Sequence, residues 1–384
     1  SLGDDQRAGL KLSYGRKDMK SDMAGWMSFA DVLIDSIAVT PQYSLESSVF
    51  GHRDNLTLGI DYYNDVLNVD RFADKARTEE TVTAEVTRDT IGAFARNELT
   101  VVDNVVLGLG ARAETAETAA DVTSGGAVTV DDSKRFDETA FDASVIRTFN
   151  NKSKVYAKGG TVYRYPFVDE QVSYIGYGLD TFNPDLHPEE GWSSEVGAEV
   201  NLAKGLSFGL TVFRLDMRDE IAWDFVAQQN DNLDRTARQG IEAAFNYSAL
   251  ELVKFNGNYT LTDASFTDGA NDGNDVPLVP ERKASLGIKF VLPLDMALDT
   301  VATYTGESYL GGDGANLGPK LADYTVVNVF LRCAPKSIPG FEAYFGSENV
   351  FDEEYANLGY KGMSNDGYYP APGRTFRGGV AYKF

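Results

Sequence analysis

Apolar and polar residues alternate strictly along this chain, in short segments that recur from one end to the other. In the last segment Phe376, Gly378, Val380, Tyr382 and Phe384 fall on one face, and Thr375, Arg377, Gly379, Ala381 and Lys383 on the other. Between Val253 and Leu261 the apolar set is Val253, Phe255, Gly257, Tyr259 and Leu261; its counterpart is Lys254, Asn256, Asn258 and Thr260. The pattern recurs at Leu56, Leu58, Ile60, Tyr62; at Val105, Leu107, Leu109, Ala111; at Val196, Ala198, Val200, Leu202; and at Leu286, Ile288, Phe290, Leu292. A period of two puts successive side chains on opposite faces of a strand, so each segment offers a sheet one apolar and one polar face. No run approaches the ~20 apolar residues that a membrane helix needs. Any membrane crossing therefore falls to strands, whose inner half can stay polar around a wet lumen.

Soluble β-sandwiches alternate too, and the connections separate the two cases. Counted back from Phe384, strands fall near 374–384, 341–350, 321–333, 294–305, 281–291, 252–263, 236–248, 205–217, 191–202, 153–165, 136–148, 103–114, 86–99, 54–63, 36–47 and 5–14. Short connections such as Ala203-Lys204, Ala249-Leu250 and Asn150-Asn151-Lys152 alternate with long ones at 15–35, 64–85, 115–135, 166–190, 218–235, 264–280, 306–320 and 351–373. Membrane barrels keep short periplasmic turns and long external loops, a phase that a sandwich has no reason to hold throughout. The expected fold is all-β: an antiparallel transmembrane β-barrel of about sixteen strands, with both chain ends on the short-turn side, placed in a bacterial outer membrane. A single barrel domain over residues 1–384 accounts for the chain. Either this is a complete sheet, or it is the C-terminal part of a larger barrel that lacks an even number of strands.

The 37 Gly, 20 Tyr and 22 Phe suit strands, tight turns and aromatic belts. A formal charge of -23 argues against nucleic acid as a partner, because phosphate binding needs clustered Lys and Arg. The acidity gathers in irregular stretches such as Thr262 to Asp275, where it keeps a wet face soluble and attracts cations. Cys333 is the single cysteine, which excludes an internal disulfide framework. The chain begins at Ser1 with neither an initiator Met nor a signal peptide, and so reads as processed, trimmed or a fragment.

Three stretches resemble one family. Glu348-Asn349-Val350-Phe351-Asp352-Glu353-Glu354-Tyr355, then Tyr369-Pro370-Ala371-Pro372-Gly373-Arg374-Thr375-Phe376 and the closing Tyr382-Lys383-Phe384, are similar to the end of TonB-dependent outer-membrane receptors. Asn183-Pro184-Asp185-Leu186-His187-Pro188-Glu189-Glu190 followed by Glu195-Val196-Gly197 resembles that family's N-P-x-L-x-P-E…E-x-G stretch. Gly257-Asn258-Tyr259-Thr260-Leu261-Thr262-Asp263-Ala264, with Val279-Pro280-Glu281-Arg282, is the third match. Together they cover about residues 155–384. The resemblance implies uptake of a scarce, large nutrient such as a ferric siderophore, haem or cobalamin through a plugged barrel of roughly 22 strands. It implies partners as well: outer-membrane lipid and lipopolysaccharide, an iron-siderophore-like ligand, TonB reached through an N-terminal region, and barrel-assembly machinery that reads Phe384. Plug and TonB box are not visible in the sequence, which would correspond to the later strands of such a barrel. A passive porin-like channel of about sixteen strands is the alternative.

The remaining motifs point away from bond-making chemistry. Gly205-Leu206-Ser207-Phe208-Gly209 matches a nucleophile elbow, but Leu206, Phe208, Leu210 and Val212 run on as a strand where the elbow needs a strand-to-helix turn. Gly108-Leu109-Gly110 imitates a dinucleotide fingerprint with no helix to follow, so these glycines are expected to relieve crowding inside the sheet. His52 and His187 are expected on opposite sides of the membrane and cannot share a metal. Haem receptors of the family typically carry a histidine between a segment placed like Tyr163-Arg164-Tyr165-Pro166 and the N-P-x-L stretch; none lies there before Asn183, which disfavours haem. Asp263, Asp268, Asn271, Asp272, Asn274 and Asp275 lack the spacing of an EF-hand and read as a solvated acidic loop. No cofactor or metal is expected. Arg112, Arg147, Arg332 and Arg377 on inner faces are expected to pair with acidic neighbours or with a plug, in preference to contacting substrate. Aromatic residues deep in external loops suit a bulky planar ligand. The candidate ligand-binding set is Tyr165, Phe167, Tyr174, Tyr177, His187, Tyr309, Tyr360 and Tyr368.

Overall fold

The computed structural model describes residues 5–23, 28–171, 182–224, 229–248, 250–362 and 365–383. Sixteen strands form one antiparallel sheet in strict chain order. They are β1 (Gln6–Met23), β2 (Ser28–Val49), β3 (His52–Phe72), β4 (Glu80–Val102), β5 (Val105–Ser124), β6 (Ala127–Thr148), β7 (Lys154–Arg164) and β8 (Glu189–Ala203). There follow β9 (Leu206–Arg218), β10 (Thr236–Tyr247), β11 (Val253–Phe266), β12 (Arg282–Leu292), β13 (Met296–Thr305), β14 (Tyr324–Cys333), β15 (Phe341–Glu348) and β16 (Thr375–Tyr382). Each sheet strand contains or overlaps one of the expected segments. By internal contacts the chain divides into two units, Ser1–Val145 with Lys158–Ser193 and Met217–Leu233, and Ile146–Ala157 with Ser194–Asp216 and Asp234–Phe384.

In the first unit the expected long loops at 15–35, 64–85 and 115–135 are corrected: most of each is strand. β2 has 22 residues and reaches about 70 Å at ~3.3 Å per residue, whereas about 9–11 residues cross a hydrocarbon core. The cause is an inversion of amphipathicity within each strand. Near the short turns Leu12, Ile37, Leu58, Ile60, Ile91 and Leu109 are exposed on the outer face, as lipid contact requires. Beyond Tyr14 and Tyr62 that face turns polar. Tyr14 Oη donates to Asp35 (2.7 Å) and Tyr62 Oη to Asp89 (2.8 Å), the amphipathic rings of an interfacial belt. Above the belt the apolar set moves to the inner face, where Ala30, Val32, Leu67, Val69, Val82, Ala84, Val86, Ala120 and Val122 form a buried core. Val168 and Phe182, from the connection after β7, belong to this core. The long strands carry their hydrophobic effect outside the membrane by swapping faces.

Lower on the inner face polar groups pair with one another. Arg112 donates to Asp61 (2.5 Å) and bonds Glu114 and Tyr163. Gly59 lies beneath the Phe94 ring directly opposite, leaving no room for a Cβ. Gly108 and Gly110 face Ser144 and Asp142 in the same way, so they relieve crowding inside the sheet as expected.

The second unit keeps the expected phase. Its short turns include Lys204-Gly205, and its long connections are 267–281, 306–323 and 349–374. Phe345 and Phe376 stack at 6.4 Å on the exposed face. Arg332 donates to Asp299 (2.9 Å) and Arg377 pairs with Glu348 at 3.0 Å, as expected of inner-face arginines; Arg147 departs from that expectation and stands 5.1 Å over the Phe149 ring. Gly346 and Gly379 lie beneath Phe330 and Tyr344. Ser207 sits within β9, so the apparent elbow is a strand. Phe384 lies outside the described residues.

Candidate functional site

The candidate ligand-binding residues fall into two groups, one in each unit. In the first unit the segment after β7 turns on a single guanidinium. Arg164 Nη1 donates to Glu170 Oε2 (2.7 Å) and Nη2 to Glu170 Oε1 (3.1 Å) and Glu189 Oε1 (2.6 Å). Such charge-assisted, forked bonds fix geometry as well as energy. Glu170 lies in the short helix α1 (Val168–Gln171), and its Oε2 also accepts the Phe167 N–H at 2.7 Å. Arg164 stands 4.8 Å from the Phe167 ring centroid. Glu189 in turn accepts the Ile221 N–H at 3.0 Å, which brings in the hairpin Ile221–Asp224 with Gln229–Asn232. Asn230 donates to the Glu170 carbonyl (3.0 Å), and Asn232 donates to that of His187 (3.0 Å) while accepting the His187 N–H (2.8 Å). Arg88 bridges the Pro166 carbonyl (2.9 Å) and Asp65 (3.0 Å), tying the segment to the sheet.

Of the residues expected here, Phe167 is half exposed and His187 exposed. Tyr165 is buried. Its hydroxyl donates to the Glu114 carbonyl at 3.1 Å, and its ring packs on Phe136 and Tyr163. Tyr174 and Tyr177 lie outside the described residues. His52 begins β3 beside the Phe50-Gly51 turn, far along the strands from His187.

In the second unit three connections are woven together. The Leu278 N–H donates to the Tyr309 carbonyl (2.9 Å), Gly311 N–H to Gly359 O (2.9 Å) and Lys361 N–H to Gly311 O (2.9 Å). Asn274 donates to Gly314 O (3.0 Å), and Asn316 both donates to Asp275 O (3.0 Å) and accepts its N–H (2.6 Å). At the centre Asp313 is buried. It accepts the N–H groups of Gly318 (2.7 Å) and Leu317 (3.2 Å) and the Lys361 ammonium (2.6 Å). Burial pushes this carboxyl up, but Lys361 and the two amides outweigh it and hold Asp313 below the usual carboxylate range. Leu310, Leu321, Val276 and Phe266 are buried, giving the cap a small apolar centre.

Tyr309 pairs with Lys320 in the short ladder Ser308–Tyr309 with Lys320–Leu321, and the Lys320 ammonium stands 4.6 Å over its ring. Glu307 accepts from Lys320 at 2.9 Å and raises its pKa above the usual lysine value. A cleft of about 210 Å³ opens beside them, lined by Asp263, Asp275, Glu281, Glu307, Tyr309 and Lys320, among others. Tyr360 and Tyr368 belong to the hairpin Ala356–Tyr360 with Gly367–Pro370; Tyr368 is half exposed, and Tyr360 packs edge-on to Tyr369 at 6.1 Å. Sequence reasoning missed Arg164, Asp313, Lys320 and Lys361 as organisers, since their partners lie up to 48 positions away. Asp313 alone left a local trace, a carboxylate ahead of the amides of Leu317 and Gly318.

A family model described as TonB dependent receptor-like, beta-barrel, matches residues 3–350. The chain belongs to this family. It is a β-barrel chain of the Gram-negative outer membrane, in a family of transport receptors and not of enzymes. The iron-regulated outer membrane virulence protein of Vibrio cholerae is 25% identical over 229 residues, which are 53% of this chain and 34% of that protein. The ferrienterobactin receptor of Escherichia coli K12 is 24% identical over 230 residues, 50% of this chain and 29% of the receptor. The chain thus matches about a third of the length of these relatives. Solved TonB-dependent receptors share the fold. The ferric citrate transporter FecA superposes with a TM-score of 0.81 at 14% identity, covering 100% of this chain and 60% of FecA. The ferric yersiniabactin uptake receptor FyuA of Yersinia pestis gives 0.78 at 17%, covering 100% and 59%.

Proposed function

We propose that this TonB-dependent receptor barrel takes up a ferric siderophore or a similar large, scarce nutrient, and makes or breaks no covalent bond in doing so. The observation that carries this reading is the woven cap of the second unit, where buried Asp313 pairs with Lys361 across two connections and the Leu278–Tyr309 backbone bond ties in the third, in one arrangement that presents Tyr309, Tyr360 and Tyr368. Capture of a bulky ligand gains from a preorganised surface of this kind. Phe167 and His187 are exposed on the first unit, held by Arg164 and Asn232 respectively. The names of the relatives, an iron-regulated virulence protein and a ferrienterobactin receptor, support the same class.

In this reading residues 1–384 act as one barrel domain, and gating by a plug and energy from TonB come from sequence outside these residues. Outer-membrane lipid and lipopolysaccharide surround the apolar belt, and barrel-assembly machinery reads Phe384. Uptake of radioactive iron as ferric siderophores is the test, in cells with and without the protein and with and without TonB. Accumulation should require both. Uptake that persists without TonB, together with steady large conductance in a planar bilayer, would instead establish the porin-like channel.

A further inference from the structure

The short turns of the sheet end on large, exposed apolar side chains. Phe50 at the β2–β3 apex is 96% exposed, and Leu294 at the β12–β13 apex 79%. Both hold the left-handed backbone, with φ of 52° and 62°, a conformation that favours Gly or Asn and is costly for a bulky side chain. Each apex thus joins a strained backbone to an unburied hydrophobe, and no described residue offsets either. Val102, Phe149, Leu202 and Ile338 stand exposed at four other short turns.

Strand length shows what surrounds these turns. About 9–11 residues cross a hydrocarbon core. In β3 the crossing runs from Tyr62 of the belt back to His52, beside the Phe50 turn, in 11 residues. β12 and β13, which flank Leu294, have 11 and 10 residues in all. The crossing takes this whole length, so the apices stand at the boundary of the periplasmic leaflet and not in the water beyond it. Charge points the same way. Exposed Lys152 follows Phe149 and exposed Lys204 follows Leu202, in a chain whose formal charge is -23. An apolar side chain beside an ammonium fits a phospholipid interface, where the first enters the acyl boundary and the second meets phosphate. Leu294 is also held firmly in place. The next residue, Asp295, accepts the Ala334 N–H at its carbonyl (3.1 Å) and the Lys336 N–H at its carboxylate (3.0 Å).

We propose that the apices of the short turns, Phe50 and Leu294 above all, are embedded in phospholipid of the periplasmic leaflet and fix how deep their strands sit. The burial that these side chains lack in the protein is then supplied by acyl chains.

The test uses the full-length protein, in a cysteine-free background, reconstituted into vesicles of phosphatidylethanolamine and phosphatidylglycerol. Phe50→Cys and Leu294→Cys carry nitroxides. Ile60→Cys, on the exposed outer face of β3, is the lipid reference, and Asp132→Cys, exposed near the outer end of β6, the water reference. Collisions with oxygen and with a nickel chelate, read by power saturation, give the depth of each label. Labels at 50 and 294 should favour oxygen, as the label at 60 does, and lie about 5–10 Å below the phosphates. Preference for the nickel chelate, as at 132, overturns the proposal. Shielding from both overturns it too, because protein would then cover the turns. The unlabelled Phe50→Asn variant separates the native side chain from the label. Asn suits the left-handed backbone, so in water the substitution should stabilise the fold. In lipid it removes an embedded ring, and the urea midpoint in the same vesicles should fall. An equal or higher midpoint would show that the Phe50 ring is not embedded.

Discussion

Replacing Asp313 by alanine removes the acceptor of two backbone amides and of one ammonium from the centre of the woven cap. The Asp313 side chain is fully buried, while that of Lys361 is 36% exposed. Removing one partner of a buried pair costs about 3–5 kcal/mol when the other is left stranded in the interior. Here water reaches the stranded ammonium, so about 2–3 kcal/mol is the expected loss. The strands are held by their own ladders and should not feel it. The assay is amide hydrogen exchange at Gly311, Leu317, Gly318 and Lys361, with amides of β12 and β13 as internal standards. At about 1.4 kcal/mol per tenfold, cap amides should exchange roughly 30-fold faster or more, with the strand amides unchanged. Asp313→Asn, which keeps an acceptor but loses the charge, should fall between the two. The sign of the pH dependence follows from the lowered carboxyl. The stabilisation is complete above the ordinary carboxylate value of about 4 and disappears as pH falls through the lower folded value. Cap exchange in the alanine variant that matches wild type at neutral pH would refute the central role given to this carboxylate.

Three further outcomes follow from the same geometry. Gly59→Leu forces a side chain into the Phe94 ring and should destabilise the folded sheet by about 1–3 kcal/mol, read as a lower unfolding midpoint in urea, with Gly59→Leu/Phe94→Ala partly restored. Glu117 lies directly opposite Asp89 on the exposed face of β5 and β4, so Glu117→Lys should stabilise by roughly 0.2–1 kcal/mol, an effect that salt should weaken. Arg164→Ala should loosen α1 and the hairpin at Ile221–Asn232 together, since Glu170 and Glu189 both lose their shared guanidinium; limited proteolysis should cut both segments faster. Arg164→Lys, with its point charge, should restore only part of that protection.

The sequence by itself determined the all-β class, the number of strands in the sheet and the face that meets lipid. Alternation of period two is local, and segments such as Leu206 to Val212 carry it without help from the rest of the fold. It also named the loops that hold Phe167, His187, Tyr309, Tyr360 and Tyr368. Only the tertiary structure decided where β1 to β6 end. In each the apolar set slips from one face to the other, as from Leu58, Ile60 and Tyr62 to Leu67 and Val69. In sequence that half-period shift looks like a strand breaking off. In the fold the strand runs on, because its new apolar face finds Val168 and Phe182 to pack against. The organisers of the cap were beyond sequence for a related reason. An ion pair such as Asp313 with Lys361 leaves no periodic trace, and its strength comes from burial, which exists only once three distant connections have been brought together.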